Sequence, residues 1–324
     1  SNRPIAIEYF KDIYWKIALM TYAIAYLTRQ AKDFSLAAKI ITISGTLVGL
    51  TALYNKANGI GMVEETRVTI GRQIGSVLGD PNDLALVLMF PASFAISLIL
   101  TKGISTSSKL LGLISVITLF SAIIATQSRG GLLGILAVFG IYGYRKTKSK
   151  ALFFSVSLIF AVLLYFIAGI SGRSSGGSAE DGIDASAMGR LYAWEAAVGM
   201  AVNNPLTGVG LDNFYSNYYY YSPHWDGLNH AVHSTWFGVL AETGFLGLAV
   251  FIFNITLLLK TSYRCLINIE LYIDVADPAL VAASQAVFAG LVGTVVSGTF
   301  LTQGFTWPIY ILSALVVAVS RWTD

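Results

Sequence analysis

An all-α integral membrane protein is the fold class this sequence predicts, and three observations predict it. Of 324 residues, 55% are hydrophobic and 12% charged, where soluble domains carry roughly 25% charged residues. The mean hydropathy is +0.66. The apolar residues also gather into stretches of about 20, the length a helix needs to cross a hydrocarbon core of ~30 Å. The net charge of +3 is too small to argue for nucleic acid. Cys265 is the single cysteine, which excludes an internal disulfide and a cysteine-based metal cluster. The chain opens Ser1-Asn2-Arg3-Pro4, without Met or a signal peptide, and so reads as a fragment.

Nine segments qualify as spans, at about 10–28, 36–54, 82–101, 108–127, 130–144, 151–170, 233–259, 279–298 and 305–320. The first is the weakest, because Lys11, Asp12 and Lys16 crowd its start. The third has a strong start signal: Asp80 as N-cap, Pro81 in the first turn and Asp83 three residues after the cap. The fifth is short. About 15 apolar residues separate Arg129 from Arg145, or about 22 Å of helix. Either the bilayer thins there, or Arg129 lies below the surface in a cavity, where an arginine is usually functional. The Gly/Ser-rich stretch Ser171 to Asp184 is expected to be mobile. A short helix follows, carrying Arg190, Trp194 and Met200 and ended by Asn203-Asn204-Pro205. The chain thus divides into 1–170 (six spans and an arginine-bearing outer loop, 55–81), a large outer loop at 171–232, and 233–324 (three spans).

Orientation follows from the basic residues. One side carries eight Lys and four Arg, with the dense Arg145-Lys146, Lys148, Lys150 run marking it as cytoplasmic; the other carries three Lys and six Arg. Topology needs only positive charge, whereas bidentate capture of phosphate oxygens favours Arg. Both long loops lie on the arginine side, so that side is expected to carry the chemistry.

Several residues there suit an anionic ligand. Arg129 opens Ser128-Arg129-Gly130-Gly131, where glycine N–H groups at a helix N-terminus offer an anion site. Arg67 and Arg72 stand in the loop before Asp80, either facing a ligand or as part of a solvated charged loop. Arg190 and Trp194 share a helical face, which suits a glycan phosphate or a lipid headgroup and equally a bare interfacial helix. The tract Tyr215 to Trp225, with Tyr215 and Tyr218, could stack on sugars or form an interfacial aromatic belt. All three histidines, His224, His230 and His233, fall within 189–247. His230 and His233 are three apart and can point to one side of the next span; a neutral imidazole there could take a proton from a hydroxyl. No third or fourth ligand at suitable spacing accompanies them, so no metal is expected. Glu242 lies mid-span, with no role assigned.

With these residues placed, the chain resembles the O-antigen ligase and O-antigen polymerase superfamily of bacterial membrane glycosyltransferases. The resemblance rests on Gly189-Arg190, Trp194, Met200, Asn204-Pro205-Leu206-Thr207-Gly208-Val209-Gly210-Leu211, Phe214, His233-Ser234 and Leu240-Ala241-Glu242-Thr243-Gly244 with Gly247, preceded by Ser128-Arg129-Gly130-Gly131 and Asp80-Pro81-Asn82. It implies a GT-C-like fold in the bacterial inner membrane with its active site facing the periplasm. Members often have about a dozen spans, so helices are expected before Ser1. The donor would be an undecaprenyl-diphosphate-linked glycan, and the acceptor a hydroxyl of lipid A core, glycan or protein. Transfer would be inverting and need no cofactor, consistent with the lack of an Asp-x-Asp motif. His233 matches the histidine proposed as general base, with His230 beside it. Arg129 and Arg190 match diphosphate-binding arginines, and Arg67 or Arg72 stands near a third. Trp194, Tyr215 and Tyr218 would touch glycan or lipid. Ser234 stands where the family usually has Asn, which leaves the subfamily open. The alternatives are a glycan polymerase with the same outer chemistry, and a small-anion transporter, which would need a polar pathway at the midplane.

Overall fold

The computed structural model describes residues 3–167, 185–302 and 304–323. Ser171 to Asp184, including Arg173, lies outside the described residues. Among the described residues twelve α-helices run in order: α1 (Arg3–Tyr9), α2 (Trp15–Leu27), α3 (Ala31–Asn58), α4 (Pro81–Leu100), α5 (Thr106–Ala125), α6 (Arg129–Lys146), α7 (Lys150–Ile167), α8 (Ala185–Asn203), α9 (Phe214–Tyr221), α10 (Thr235–Leu271), α11 (Pro278–Gly298) and α12 (Trp307–Ser320). Among the described residues the only bridge outside helices is the antiparallel pair Val63 and Arg67.

Helices stand at all nine expected segments. Five of them, α3, α4, α5, α10 and α11, are long and apolar enough to cross a membrane, among the described residues; α12 and residues 150–164 of α7 are shorter apolar helices. The first segment falls short because a π-helical turn, Phe10–Tyr14, interrupts it at Lys11 and Asp12. The helix α6 falls short because arginine stands at both ends of an 18-residue element.

The chain folds into two compact units. One, the helix unit, comprises Ala23–Arg173, Leu259–Ser297 and Ile311–Asp324; the other, the loop unit, comprises Ser1–Tyr22, Ser174–Leu258 and Gly298–Tyr310. The described outer-loop residues from 185 on group with the first part of the His233 helix, up to Leu258.

In the helix unit, α4 packs against α3, α5 and α6, and 16 of its 20 residues are buried. Without water to drive association, membrane helices rely on close backbone approach at small residues. A Cβ on Gly45 would stand 2.3 Å from Pro91 Cβ, and one on Gly131 would stand 2.4 Å from Ala85 Cβ. Two buried hydroxyls are taken up between helices, as a water-free layer favours. Ser93 Oγ donates to Ala286 O at 2.9 Å, and Tyr142 Oη donates to Ser93 O at 2.8 Å, which ties α4 to α11 and α6. The helix α7 exposes Leu152, Phe154, Leu158 and Ile159, the surface a lipid-facing helix presents.

In the loop unit, α8 puts Ala193, Ala196, Ala197 and Met200 on one face at helical spacing. That face packs onto Val209, Phe214, Tyr218, Val232 and Ala241. The expected short helix is thus 19 residues long, and it ends where Asn204-Pro205 predicts.

Candidate functional site

The arginine end of the helix unit is built on the loop between α3 and α4. Asp80 caps α4, accepting from Asn82 N at 2.7 Å and Asp83 N at 3.4 Å, with Pro81 in the first turn. The cap turns Asn82 inward. Its Oδ1 accepts from Arg67 Nη2 at 3.0 Å and from Ser128 Oγ at 2.8 Å. Arg67 also donates through Nε to Thr126 O at 3.1 Å and lies 3.6 Å from the Glu64 carboxylate. At 3% exposed, Arg67 is the pin that joins the loop to the ends of α4, α5 and α6, and its guanidinium is committed to the protein.

The Ser128-Arg129-Gly130-Gly131 motif also differs from expectation. Ser128 caps α6, and its Oγ accepts the Gly131 N–H at 3.1 Å. Both glycines are buried, Gly131 against Ala85. Gly131 thus serves helix contact, and its N–H is taken by the cap. Arg129 itself is half-buried at the start of α6. Arg72 is exposed and donates to Gly79 O at 3.0 Å.

In the loop unit, the two long motifs prove to be halves of one joint. The helix α10 breaks at Gly244, with φ 70° and ψ −171°, a conformation that costs glycine little. At the break the Ala241 and Glu242 carbonyls lose their helical partners. Val209 N donates to Ala241 O at 2.8 Å and Gly210 N to Glu242 O at 3.0 Å, while the freed Phe245 N donates to Pro205 O at 2.8 Å. The backbone of 205–210 thus fills the gap in α10. Only glycine fits at 208, where a Cβ would meet Ala241 O at 2.3 Å and Glu242 C at 2.4 Å. The Glu242 carboxylate accepts from Phe214 N at 3.4 Å, at the N-terminus of α9, where a negative charge is favoured. This structural role was not visible in the sequence.

His233 adopts φ 44°, a left-handed conformation uncommon outside glycine and costing about 1–3 kcal/mol where the surroundings impose it. The surroundings are anchored on both sides. Before it, Val232 O accepts from Trp194 Nε1 at 3.0 Å, and the indole stacks on Phe237 with centroids 4.9 Å apart. After it, Ser234 O accepts from Gly238 N at 2.9 Å, and Thr235 Oγ1 donates to Leu301 O at 2.7 Å. Trp194, expected to contact glycan or lipid, therefore positions the backbone that carries His233. Nothing in the sequence links residue 194 to residue 232.

The other histidines take partners in the loop. His230 and His233 do not share a helical face, because α10 starts only at Thr235. His230 Nε2 lies 2.9 and 3.0 Å from the Asp226 carboxylate oxygens, with its ring edge-on to Tyr218. That contact and the Leu228 N–H hold the Asp226 carboxyl below the usual carboxylate range. His224 lies 3.2 Å from Glu195 and stacks on Tyr192. Tyr218 is 1% exposed and belongs to the apolar core, so burial removes it as a sugar-stacking surface. Tyr215 is 59% exposed and keeps an open ring.

The residues selected from sequence divide between the units: Arg67, Arg72 and Arg129 in the helix unit; Arg190, Trp194, Tyr215, Tyr218, His230 and His233 in the loop unit. Arg190 is half-buried on α8, one turn before Trp194. No cluster of three or more His, Cys, Asp or Glu side chains suited to a metal occurs among the described residues.

The family model described as O-Antigen ligase matches residues 114–252. The match includes the Ser128–Gly131 motif, the joint at Gly244 and all three histidines, and it supports the O-antigen ligase/polymerase superfamily. No curated protein matches the chain.

Proposed function

We propose, from the match of residues 114–252 to the O-Antigen ligase family model, that the protein is a multi-pass membrane glycosyltransferase that moves a glycan from a lipid diphosphate to an acceptor hydroxyl. The observation that carries this reading is His233, held in a left-handed turn by the Trp194–Val232 bond on one side and the first turn of α10 on the other. An imidazole carried on that anchored backbone can accept the proton of the attacking hydroxyl, worth about 10²–10⁴-fold in rate. The hydroxyl oxygen attacks the anomeric carbon from the face opposite the phosphate, the glycosyl–phosphate bond breaks, and the lipid diphosphate leaves with the bonding pair. Configuration inverts. Arg129 and Arg190 are assigned to the diphosphate, with Arg72 in support; guanidinium groups stabilise the charge that grows on the leaving oxygen. Arg67 is left out, because its guanidinium already serves Asn82 and Thr126. Tyr215 offers the open ring for sugar stacking. The donor is assigned as undecaprenyl diphosphate-linked glycan, and the reacting face as periplasmic, on the arginine bias of the outer loops.

Expression in ligase-deficient and polymerase-deficient strains tests the reading. Surface glycan attachment restored in the first supports ligation; longer glycan chains in the second support polymerisation. His233→Ala is expected to reduce transfer by at least about 10²-fold at unchanged protein level. Transfer at the normal rate would refute the base assignment. Arg129→Lys keeps the charge and loses the planar fork; near-normal activity would argue against bidentate diphosphate binding.

A further inference from the structure

A second polar site lies in the helix unit, away from the arginine loop. The last turn of α6 carries Arg145 and Lys146. Arg145 pairs with Glu270, near the C-terminal end of α10. Across from them is Gln285 of α11, 9% exposed. Its Nε2 lies 3.5 Å from Glu270 Oε1. Its Oε1 is buried and has no hydrogen-bond partner among the described residues. These four side chains line a cavity of about 130 Å³, whose remaining walls include Tyr142 and Leu266. Gln285 stands seven residues into α11, about 10 Å along its axis. The cavity therefore starts at the Arg145-Lys146 end of α6 and reaches inward beside α11 to Gln285.

The chemistry of the lining specifies an occupant. Arg145 and Lys146 are donors only and suit a phosphodiester, and a basic pocket between helices at this end of a membrane protein is where lipid phosphates bind. The deeper half is the reverse: Glu270 accepts from Arg145 and, at 3.5 Å, from Gln285 Nε2, while Gln285 Oε1 accepts from no donor among the described residues. A buried amide oxygen without a donor is destabilising, so a donor supplied from the cavity would be favoured there. We propose that this cavity binds a phosphoethanolamine headgroup, its phosphate on Arg145 and Lys146 and its ammonium between Glu270 and Gln285. A choline headgroup has no N–H to offer and fails at the deep end. A glycerol headgroup offers hydroxyls but no positive charge for Glu270. The inference does not depend on the transferase assignment, since it concerns a different set of residues.

The test uses the full chain purified in non-ionic detergent, with thermal midpoint and bound-lipid mass as readouts. Phosphatidylethanolamine at about tenfold above its dissociation constant should raise the midpoint by roughly 2 °C and co-purify at one molecule per chain. Phosphatidylglycerol should do less, and phosphatidylcholine nothing. Gln285→Met fills the same space without the acceptor; it should keep or raise the lipid-free midpoint and lose most of the ethanolamine response. Lys146→Ala should weaken the response at least several-fold. An unchanged response in Gln285→Met, or an equal response to phosphatidylcholine or phosphatidylglycerol, would overturn the proposal. An equal shift with soluble phosphoethanolamine at the same concentration would overturn the lipid as the source.

Discussion

Substituting Gly208 by alanine tests whether the joint at Gly244 is what holds the loop unit together. Gly208 has φ 60°, where an L side chain costs about 1–2 kcal/mol. The added Cβ would stand 2.3 Å from Ala241 O, 2.4 Å from Glu242 C and 2.5 Å from Thr243 N. All three are backbone atoms, so no side chain can swing aside. Relief requires the 205–210 backbone to withdraw, which breaks the bonds from Val209 N to Ala241 O, from Gly210 N to Glu242 O and from Phe245 N to Pro205 O. At about 1 kcal/mol each, these bonds and the strained φ together come to about 4–5 kcal/mol. For a chain of 324 residues that lowers the thermal midpoint by roughly 6–7 °C. Hydrogen exchange should quicken at Val209, Gly210 and Phe245 before it does in α4. Gly140→Ala is the control: it sits in α6 with no atom within 4 Å of its added Cβ, and is expected to be neutral or stabilising. A midpoint for Gly208→Ala within 1–2 °C of the parent, with exchange unchanged at those three amides, would refute the joint.

Three more substitutions probe the rest. Arg67→Lys keeps the charge but cannot reach Asn82 and Thr126 together; losing one hydrogen bond from a buried charged group should cost about 1.5–3 kcal/mol, read as a lower midpoint in detergent. Trp194→Phe keeps the stack on Phe237 and removes the bond to Val232 O. It should lower stability by only about 1 kcal/mol and lower the turnover rate more than the acceptor KM, because it frees the His233 turn without touching the acceptor. His230→Gln should raise the Asp226 carboxyl toward its ordinary value of about 3.9, followed by carboxyl carbon NMR. Because Asp226 is depressed in the folded state, its contribution is present at neutral pH and fades as pH falls through the lowered pKa; in the variant that acid-side loss should shrink.

Elements whose signal is local were readable in advance. Asp80-Pro81 marks the start of α4 because a cap and a pre-set φ act within four residues. Asn203-Asn204-Pro205 ends α8 for the same reason. The π turn at Phe10–Tyr14 falls on the charges that made the first segment weak. The roles of Arg67, Gly131, Trp194 and Glu242 were not readable, because each is set by a partner many residues away. An arginine in a polar loop looks like a ligand site until Asn82 and Thr126 are seen to occupy it. Gly131 at a helix start looks like part of an anion cradle until Ala85 is found against it.

The sequence by itself determined the membrane class, the positions of the helices and the motifs that identify the family region, because hydropathy, length and capping are properties of contiguous residues. Tertiary structure alone decided that the 204–210 loop completes the break in α10, that Trp194 holds the turn at His233, and that Arg67 serves the scaffold. The physical reason is that a backbone carbonyl or a guanidinium has no preference written into its own neighbours; its partner is whichever group the fold brings within 3 Å.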